Sequence, residues 1–113
     1  MSSITPIFSF NKTLYTNESM AGDLVSEIVD ISEVTGYAVH FIWSGNPTGS
    51  LLVEASNTQN SSDFILVSTT ALAGTADKKI LNVEKAHYRF IKISYVRTSG
   101  TGNLSLHVSG KRV

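Results

Sequence analysis

Cysteine is absent from this sequence of 113 residues, and proline occurs only twice. Without cysteine the chain can form neither a disulfide framework nor a Cys-ligated metal site, so its stability comes from packing or from association. Charge is also scarce, because charged residues make up 16% of the chain and nine basic residues balance nine acidic ones. A net charge of zero offers no attraction to a phosphate backbone, and we therefore expect no nucleic-acid partner.

Long apolar runs are missing as well. No stretch approaches the roughly 18 consecutive apolar residues of a membrane-spanning helix, and the first residues, MSSITPIFSF, lack the basic and apolar regions of a cleaved signal. We therefore expect neither membrane association nor secretion by such a signal. Apolar residues nevertheless make up 42% of the chain, which excludes a disordered protein and suffices for one core in a single domain spanning residues 1–113.

The segment from Tyr88 to Gly110 shows the clearest strand pattern. Apolar and polar residues alternate on two arms, with Ile91, Ile93 and Tyr95 on one face of the first arm and Leu104, Leu106 and Val108 on one face of the second. Such alternation is typical of half-buried strands. Between the arms, Gly100, Gly102 and Asn103 are residues that adopt positive φ at low cost. The pattern predicts a β-hairpin with these residues in its turn.

A second strong strand is predicted from Tyr37 to Trp43. Tyr37, Val39, Phe41 and Trp43 share one face, and the opposite face also carries apolar residues, which indicates a central strand. Further strands are predicted at residues 7–11, 26–32, 51–56, 64–67 and 80–83. A helix over residues 20–34 is the weaker alternative for one of them, since Leu24, Ile28 and Ile31 also fit helical spacing.

About seven or eight short strands, separated by frequent turn signals and with little helix, define the fold class. We predict an all-β, single-domain antiparallel β-sandwich of jelly-roll-like type.

Several short motifs resemble those of small virion structural proteins of tailed bacteriophages. They are Thr35-Gly36-Tyr37, Trp43-Ser44-Gly45 with Thr48-Gly49, Val53-Glu54-Ala55-Ser56-Asn57, Tyr88-Arg89-Phe90-Ile91-Lys92, Tyr95-Val96-Arg97-Thr98-Ser99-Gly100-Thr101-Gly102 and the terminal Gly110-Lys111. The likeness covers roughly residues 24 to 112, and the YxRTSGTG stretch is its most specific part. The sequence departs from the pattern after Asn57, where relatives often continue with Asp-Gly and a tryptophan, so any role of that loop is not carried over.

The resemblance implies a non-enzymatic β-sandwich that binds the phage head lattice in many copies as a capsid decoration protein. The implied partners are the major capsid protein or other virion proteins, together with further copies of the chain, in a virion assembled in the cytoplasm of the host bacterium. A tail, neck or fibre module with glycan-binding capacity is the alternative.

Two sets of residues are candidates for function. The first is an N-terminal docking arm or edge strand over residues 1–11, whose apolar contacts would be Ile4, Ile7, Phe8 and Phe10. The second is the core and turn signature of the resemblance: Trp43, Tyr95, Arg97, Gly100 and Gly102. Trp43 and its neighbours on the same strand face could form part of the inter-sheet core or a sugar-stacking platform. We favour the core, because aromatic side chains dominate core burial. Arg89 and Arg97 either cap the core through loop carbonyls or bind a carboxylate of a neighbouring subunit.

Residues that could carry chemistry do not assemble into a motif. The candidate metal ligands are three histidines: His40, His87 and His107. None has a second ligand two or four residues away, so we interpret them as surface or structural residues. Glu27 and Glu33 would lie about 20 Å apart on a strand, which is too far to flank one glycosidic bond. We expect no catalytic residue, no metal site and no cofactor.

Overall fold

The computed structural model describes residues 9–111. Its strands are β1 Ser9–Ser19, β2 Leu24–Val25, β3 Val29–Asp30, β4 Gly36–Trp43, β5 Thr48–Ser56, β6 Ile65–Ala73, β7 Asp77–Val83, β8 Phe90–Ser99 and β9 Asn103–Lys111. One turn of 3₁₀ helix, Ser61–Asp63, lies in the polar loop between β5 and β6. Within the described residues there is no α-helix, so the helix considered for residues 20–34 is not formed. No helix there is long and apolar enough to cross a membrane.

The strands form two antiparallel sheets that pack face to face. Sheet A has the order β1-β9-β4-β7, and sheet B has the order β2-β8-β5-β6, with β3 also pairing with β8. This arrangement confirms the predicted β-sandwich. It also confirms the central position predicted for the Tyr37–Trp43 strand, because β4 lies between β9 and β7.

The predicted β8–β9 hairpin is wrong. The two arms are strands, and their alternation is correct, since Ile91, Ile93 and Tyr95 are buried in β8 and Leu104, Leu106 and Val108 are buried in β9. They belong, however, to opposite sheets: β8 pairs with β5, and β9 pairs with β4. The residues between them form an arch that crosses from one sheet to the other. Alternation sets which face of a strand is buried but leaves its partner open.

Other predicted strands differ in extent: β1 continues beyond Asn11 to Ser19, and β5 begins at Thr48 and not at Leu51. Within the strand predicted over residues 26–32, only the two residues of β3 are a strand; β2 lies just before this range, and Ser26, Glu27 and Ile28 separate the two strands. The strand predicted at residues 64–67 begins at Ile65 and continues to Ala73, because Ser68 and the residues that follow it also pair with β5. The reversal itself is confined to the residues around Gly74, whose φ is +82°. The strand predicted at residues 80–83 begins earlier, at Asp77.

The core lies between the inner faces of the two sheets. Its largest fully buried side chains include Tyr95, Phe41, Met20, Ile31 and Leu72. Met20 and Ile31 are contributed by the connections around β2 and β3, so these connections close the core beside β8. Aliphatic and aromatic burial of this kind supplies the main stabilisation of a chain without disulfides.

Candidate assembly surface

The sheet edges are the features from which an assembly surface can be built. An edge strand presents unpaired N–H and C=O groups, so it pairs with another strand unless charge, bulges or short length prevents this. The described part of the chain has four such edges: β1 and β7 in sheet A, and β6 and the β2/β3 pair in sheet B.

Three of these edges are protected. The register of β1 with β9 shifts twice, Asn17 has a φ of +50°, and Lys12 forms an ion pair with Glu27 at 3.4 Å. The edge at β2 and β3 consists of two strands of two residues each. The β7 edge begins with three exposed charged residues, Asp77, Lys78 and Lys79. Irregularity, shortness and charge are the devices that keep natural edges from pairing.

The β6 edge lacks charge entirely. Its nine residues, ILVSTTALA, include no charged residue and no proline. Ile65, Leu66 and Val67 are 70%, 56% and 42% exposed. Burial of such large aliphatic side chains would be favourable. A register shift opposite Val53 and Glu54 bends the strand near Val67 and is its one protective device. We therefore assign β6 as the candidate assembly edge.

A groove of about 350 Å³ adjoins the start of the β6 edge. The groove is lined by the following residues of β5, β6 and the adjoining loops: Ala55, Ser56, Asn57, Asp63, Ile65, Val67, His87 and Tyr88. Ile65 and Val67 therefore belong both to the groove and to the exposed aliphatic surface of β6. A partner strand at this edge would therefore find side-chain contacts as well as backbone groups.

The outer face of sheet A brings two histidines together. His40 and His107 are directly opposite each other on β4 and β9, with ring centroids 5.9 Å apart. The Oγ1 of Thr13 lies 3.0 Å from Nδ1 of His107. No group of three or more potential metal ligands exists among residues 9–111, so this pair lacks a third protein ligand. Sequence spacing could not reveal the pair because the two residues are far apart in the chain.

Phe10 is the docking-arm residue that lies within the described part of the chain. It lies in β1, paired with Gly110, and its ring packs against the core. A Cβ at Gly110 would lie only 2.4 Å from the Cε1 atom of that ring, so the glycine makes room for Phe10. From residue 9 onward the N-terminal segment is therefore an edge strand of sheet A. Ile4, Ile7 and Phe8 lie outside the described residues.

Trp43 and Tyr95 are core residues. Trp43 is 6% exposed, stacks on Phe41 at 6.0 Å between ring centroids, and donates from Nε1 to the Thr75 carbonyl at 2.6 Å. Tyr95 is 1% exposed, and its hydroxyl lies 3.4 Å from the Thr48 carbonyl. Because the rings of the Trp43 face are buried, they cannot stack on a sugar.

Arg97 holds the arch between β8 and β9. Its Nε donates to the Gly100 carbonyl at 2.8 Å, and its backbone N–H donates to the Asp23 carboxylate at 2.8 Å. The first contact is the loop-carbonyl alternative considered for this residue.

Gly100 has the predicted positive φ of +75°, but Gly102 and Asn103 do not. The prediction of positive φ for those two residues is wrong. Gly102 is required to be small because a Cβ there would lie 1.9 Å from the Ser44 carbonyl oxygen.

Burial and local hydrogen bonds shift the pKa values of several groups. Burial raises the pKa of the Tyr37 hydroxyl far above 10.0, and its 2.8 Å hydrogen bond with the Tyr88 hydroxyl acts in the same direction. Burial also raises the pKa values of Tyr15 and Tyr95. Hydrogen bonds from the Ser32 side chain and backbone lower the pKa of Asp30. Each shift thus follows from burial or from a local hydrogen bond.

Solved structures with the same fold were found by comparison. The SPBc2 prophage-derived protein YomS matches with a TM-score of 0.58 and 16% identity, over 97% of this chain and 100% of that one. A chain in the structure of infectious bursal disease virus, Gx strain, matches with a TM-score of 0.59 and 14% identity, and 34% of its length is covered by 99% of this chain. Bacillus endospore appendages, which form disulfide-linked pili, match with a TM-score of 0.51 and 15% identity over 100% and 98% of the two chains.

No protein-family model and no curated protein sequence matches the chain. The three structural likenesses all have 16% identity or less, so they bear on architecture. They show that this chain has the fold of those β proteins.

Proposed function

We propose that this protein is a non-enzymatic structural protein of a phage virion that binds the head lattice in many copies as a decoration protein. The observation that carries the proposal is the likeness of fold to a prophage-derived protein, YomS, over essentially the whole of both chains. The motifs of the Tyr95–Gly102 stretch support the same assignment, because they resemble those of small phage virion proteins.

The topology of the sandwich supports a role in a particle. If β2 and β3 are taken as one interrupted strand, the sheet orders β1-β9-β4-β7 and β2-β8-β5-β6 are those of an eight-stranded jelly roll. Jelly rolls are common in viral capsid domains and in lectins. The fold likeness to a chain of infectious bursal disease virus is consistent with this architecture.

Binding to the lattice is proposed to use apolar and backbone contacts. Because the chain has zero net charge, long-range charge attraction would contribute little to binding. The outer face of sheet B carries the exposed apolar side chains of Val25, Leu66 and Val96. Residues 1–8 add Ile4, Ile7 and Phe8 as candidate contacts. Individually weak contacts of this kind hold a protein on a lattice when one copy touches several capsomers.

The proposal is tested by the composition of purified particles of the phage whose genome encodes the chain. Quantitative mass spectrometry should find this protein in a copy number comparable to that of the major capsid protein. After separation of heads from tails, it should remain with the heads. Absence from washed particles would contradict any structural role.

A tail, neck or fibre module is the second candidate. The observation that favours it is the likeness of fold to the K3 cleaved adhesin domain of Lys-gingipain from Porphyromonas gingivalis, with a TM-score of 0.55 and 16% identity. A low copy number, with the protein in the tail fraction, would support this candidate over decoration. A glycan site in such a module would have to lie away from Trp43, whose ring is buried.

A further inference from the structure

We infer that two copies of this chain pair through their β6 strands, antiparallel about the hydroxyl residues at the centre of β6, to form a continuous sheet across a two-fold axis. The inference goes beyond the proposed function because it assigns an interface between copies of the chain in solution. It therefore holds or fails independently of any role in a virion.

The first argument is the state of the edges. Within residues 9–111, β6 is the edge strand that has no charge, and it is nine residues long. Nine residues in extended conformation span about 27 Å, and the register shift near Val67 leaves the longer part of this template, residues 68–73, regularly paired. Long, uncharged apolar edges pair with other strands, whereas the charge on β7, the irregular register of β1 and the short strands β2 and β3 oppose pairing.

The second argument is the self-complementary pattern of β6. Ser68, Thr69 and Thr70 form a hydroxyl-bearing centre, flanked by Ile65–Val67 on one side and by Ala71–Ala73 on the other. In an antiparallel pair about this centre, hydroxyl residues of one copy face hydroxyl residues of the other, and apolar residues face apolar residues. Cross-strand Thr–Thr and aliphatic pairs are stabilising, and an uncharged strand meets no like charge when it faces itself.

The third argument concerns which residues the pairing would bury. Leu66 is 56% exposed and lies on the same sheet face as Glu54, with which it pairs in β5. Thr69 pairs with Leu52 and is exposed on the outer face of sheet B. A second β6 strand would cover these side chains and satisfy the backbone groups of the edge at once. A two-fold contact of this kind is closed, so it gives a dimer and not a fibre.

The N-terminal segment of a neighbouring copy is another possible occupant of this edge. Pro6 lies in the middle of residues 1–8 and has no N–H to donate, so that segment is a poorer ladder partner than β6. The experiment below separates the two occupants.

The absence of cysteine makes cross-linking a direct test, since a single introduced thiol reports on one position. Residues directly opposite each other in an antiparallel pair have Cβ atoms about 4.5–5.5 Å apart, which a disulfide bridges with little movement. Thr69→Cys should give a disulfide-linked dimer under mild oxidation. The matched control is Asn82→Cys, which is exposed on the β7 edge and should remain mostly monomeric. Equal cross-linking of the two variants would overturn the inference.

Mass in solution provides the second readout. Analytical ultracentrifugation over a concentration series should show a species of twice the 12.2 kDa chain mass. Thr69→Lys places two like charges at the two-fold axis and should weaken the dimer by about tenfold or more, while Asn82→Lys should not. Thermal melting confirms that each variant is folded. A wild-type chain that stays monomeric, or a Thr69→Lys variant that dimerises normally, would contradict the inference. So would a dimer that is lost on deletion of residues 1–8.

Discussion

Gly100 and Gly102 lie where the β8–β9 arch passes against the loop that joins β4 to β5. A Cβ at Gly100 would lie 1.9 Å from the Asn46 carbonyl oxygen, and one at Gly102 would lie equally close to the Ser44 carbonyl oxygen. The backbone of the arch bonds to the same loop, because the Asn46 N–H donates to the Thr101 carbonyl at 2.9 Å. Two different constraints therefore select glycine: close backbone approach at both positions and positive φ at Gly100 alone.

We predict that Gly100→Val and Gly102→Val each lower the free energy of unfolding by about 1–3 kcal/mol, because the loop carbonyls must move to admit the side chain. Gly100→Val should be the worse variant, since left-handed backbone adds about 1–2 kcal/mol for a residue with a Cβ. Gly22→Val is the control, because nothing lies within 4 Å of its added Cβ and its φ is not positive. Thermal and urea denaturation measure the differences. Unchanged stability in both arch variants would show that the two loops are not in contact.

At the scale of the element, β2 and β3 act as one strand interrupted over residues 26–28, and side chains complete its pairing with β8. The N–H of Ser26 donates to the Ile93 carbonyl at 2.8 Å, and its Oγ accepts from the Ile93 N–H at 2.8 Å. The Asp23 carboxylate likewise accepts from the Arg97 N–H. These side-chain contacts take the place of ladder bonds between β8 and the interrupted strand.

We predict that Ser26→Ala lowers the free energy of unfolding by about 1–3 kcal/mol, because the Ile93 N–H is left buried without an acceptor. Hydrogen exchange at the Ile93 amide should accelerate in the same variant. Ser32→Ala is the control, since its hydroxyl bonds to Asp30 at an exposed position where water replaces the contact. Ser26→Thr keeps the hydroxyl and should retain most of the stability. Equal losses for the two alanine variants would contradict the structural role of the Ser26 side chain.

The strands themselves were largely predictable from the sequence, whereas their partners were not. Alternation correctly identified the buried faces of β4, β8 and β9, because burial of one face imposes a period of two on the residues. The β8–β9 connection was mistaken for a hairpin because a short glycine-rich loop suits both a hairpin and an arch. What decides between them is long-range contact with Asn46 and Met20, whose N–H groups donate to the Thr101 and Gly102 carbonyls. Local sequence does not encode such contacts.

At the scale of the whole molecule, the candidate surface follows from the strand order. The sequence reveals that β6 lacks charge, but only the topology shows that β6 is an edge and that no strand within residues 9–111 covers it. The same applies to His40 and His107, which the β4–β9 register makes neighbours. By contrast, the burial of Trp43 was the favoured interpretation from sequence, because aromatic residues on one strand face pack in a sandwich core.

The stability of the molecule should decline in alkaline solution, since three tyrosines have raised pKa values in the folded chain. The cause of the raised pKa is clearest for Tyr37, which is 3% exposed and hydrogen-bonded to the Tyr88 hydroxyl. Above the ordinary pKa of 10.0, the unfolded chain releases the Tyr37 proton while the folded chain keeps it. The unfolded state then binds fewer protons, so the free energy of unfolding falls as pH rises.

We predict that Tyr37→Phe makes this alkaline decline in stability less steep, by up to about 1.4 kcal/mol per pH unit above pH 10. The variant lacks the Tyr37 proton, which the folded wild-type chain keeps and the unfolded chain releases. Urea denaturation of both proteins across the range from neutral to strongly alkaline pH measures the two slopes. Near neutral pH the variant differs from the wild type by a constant amount, since Tyr37 is protonated in both folded and unfolded chains. All other titrating groups are shared, so the difference between the curves reports on the Tyr37 hydroxyl and its hydrogen bond with Tyr88. Curves that stay parallel above pH 10 would show that the Tyr37 hydroxyl is not held in its protonated form by burial.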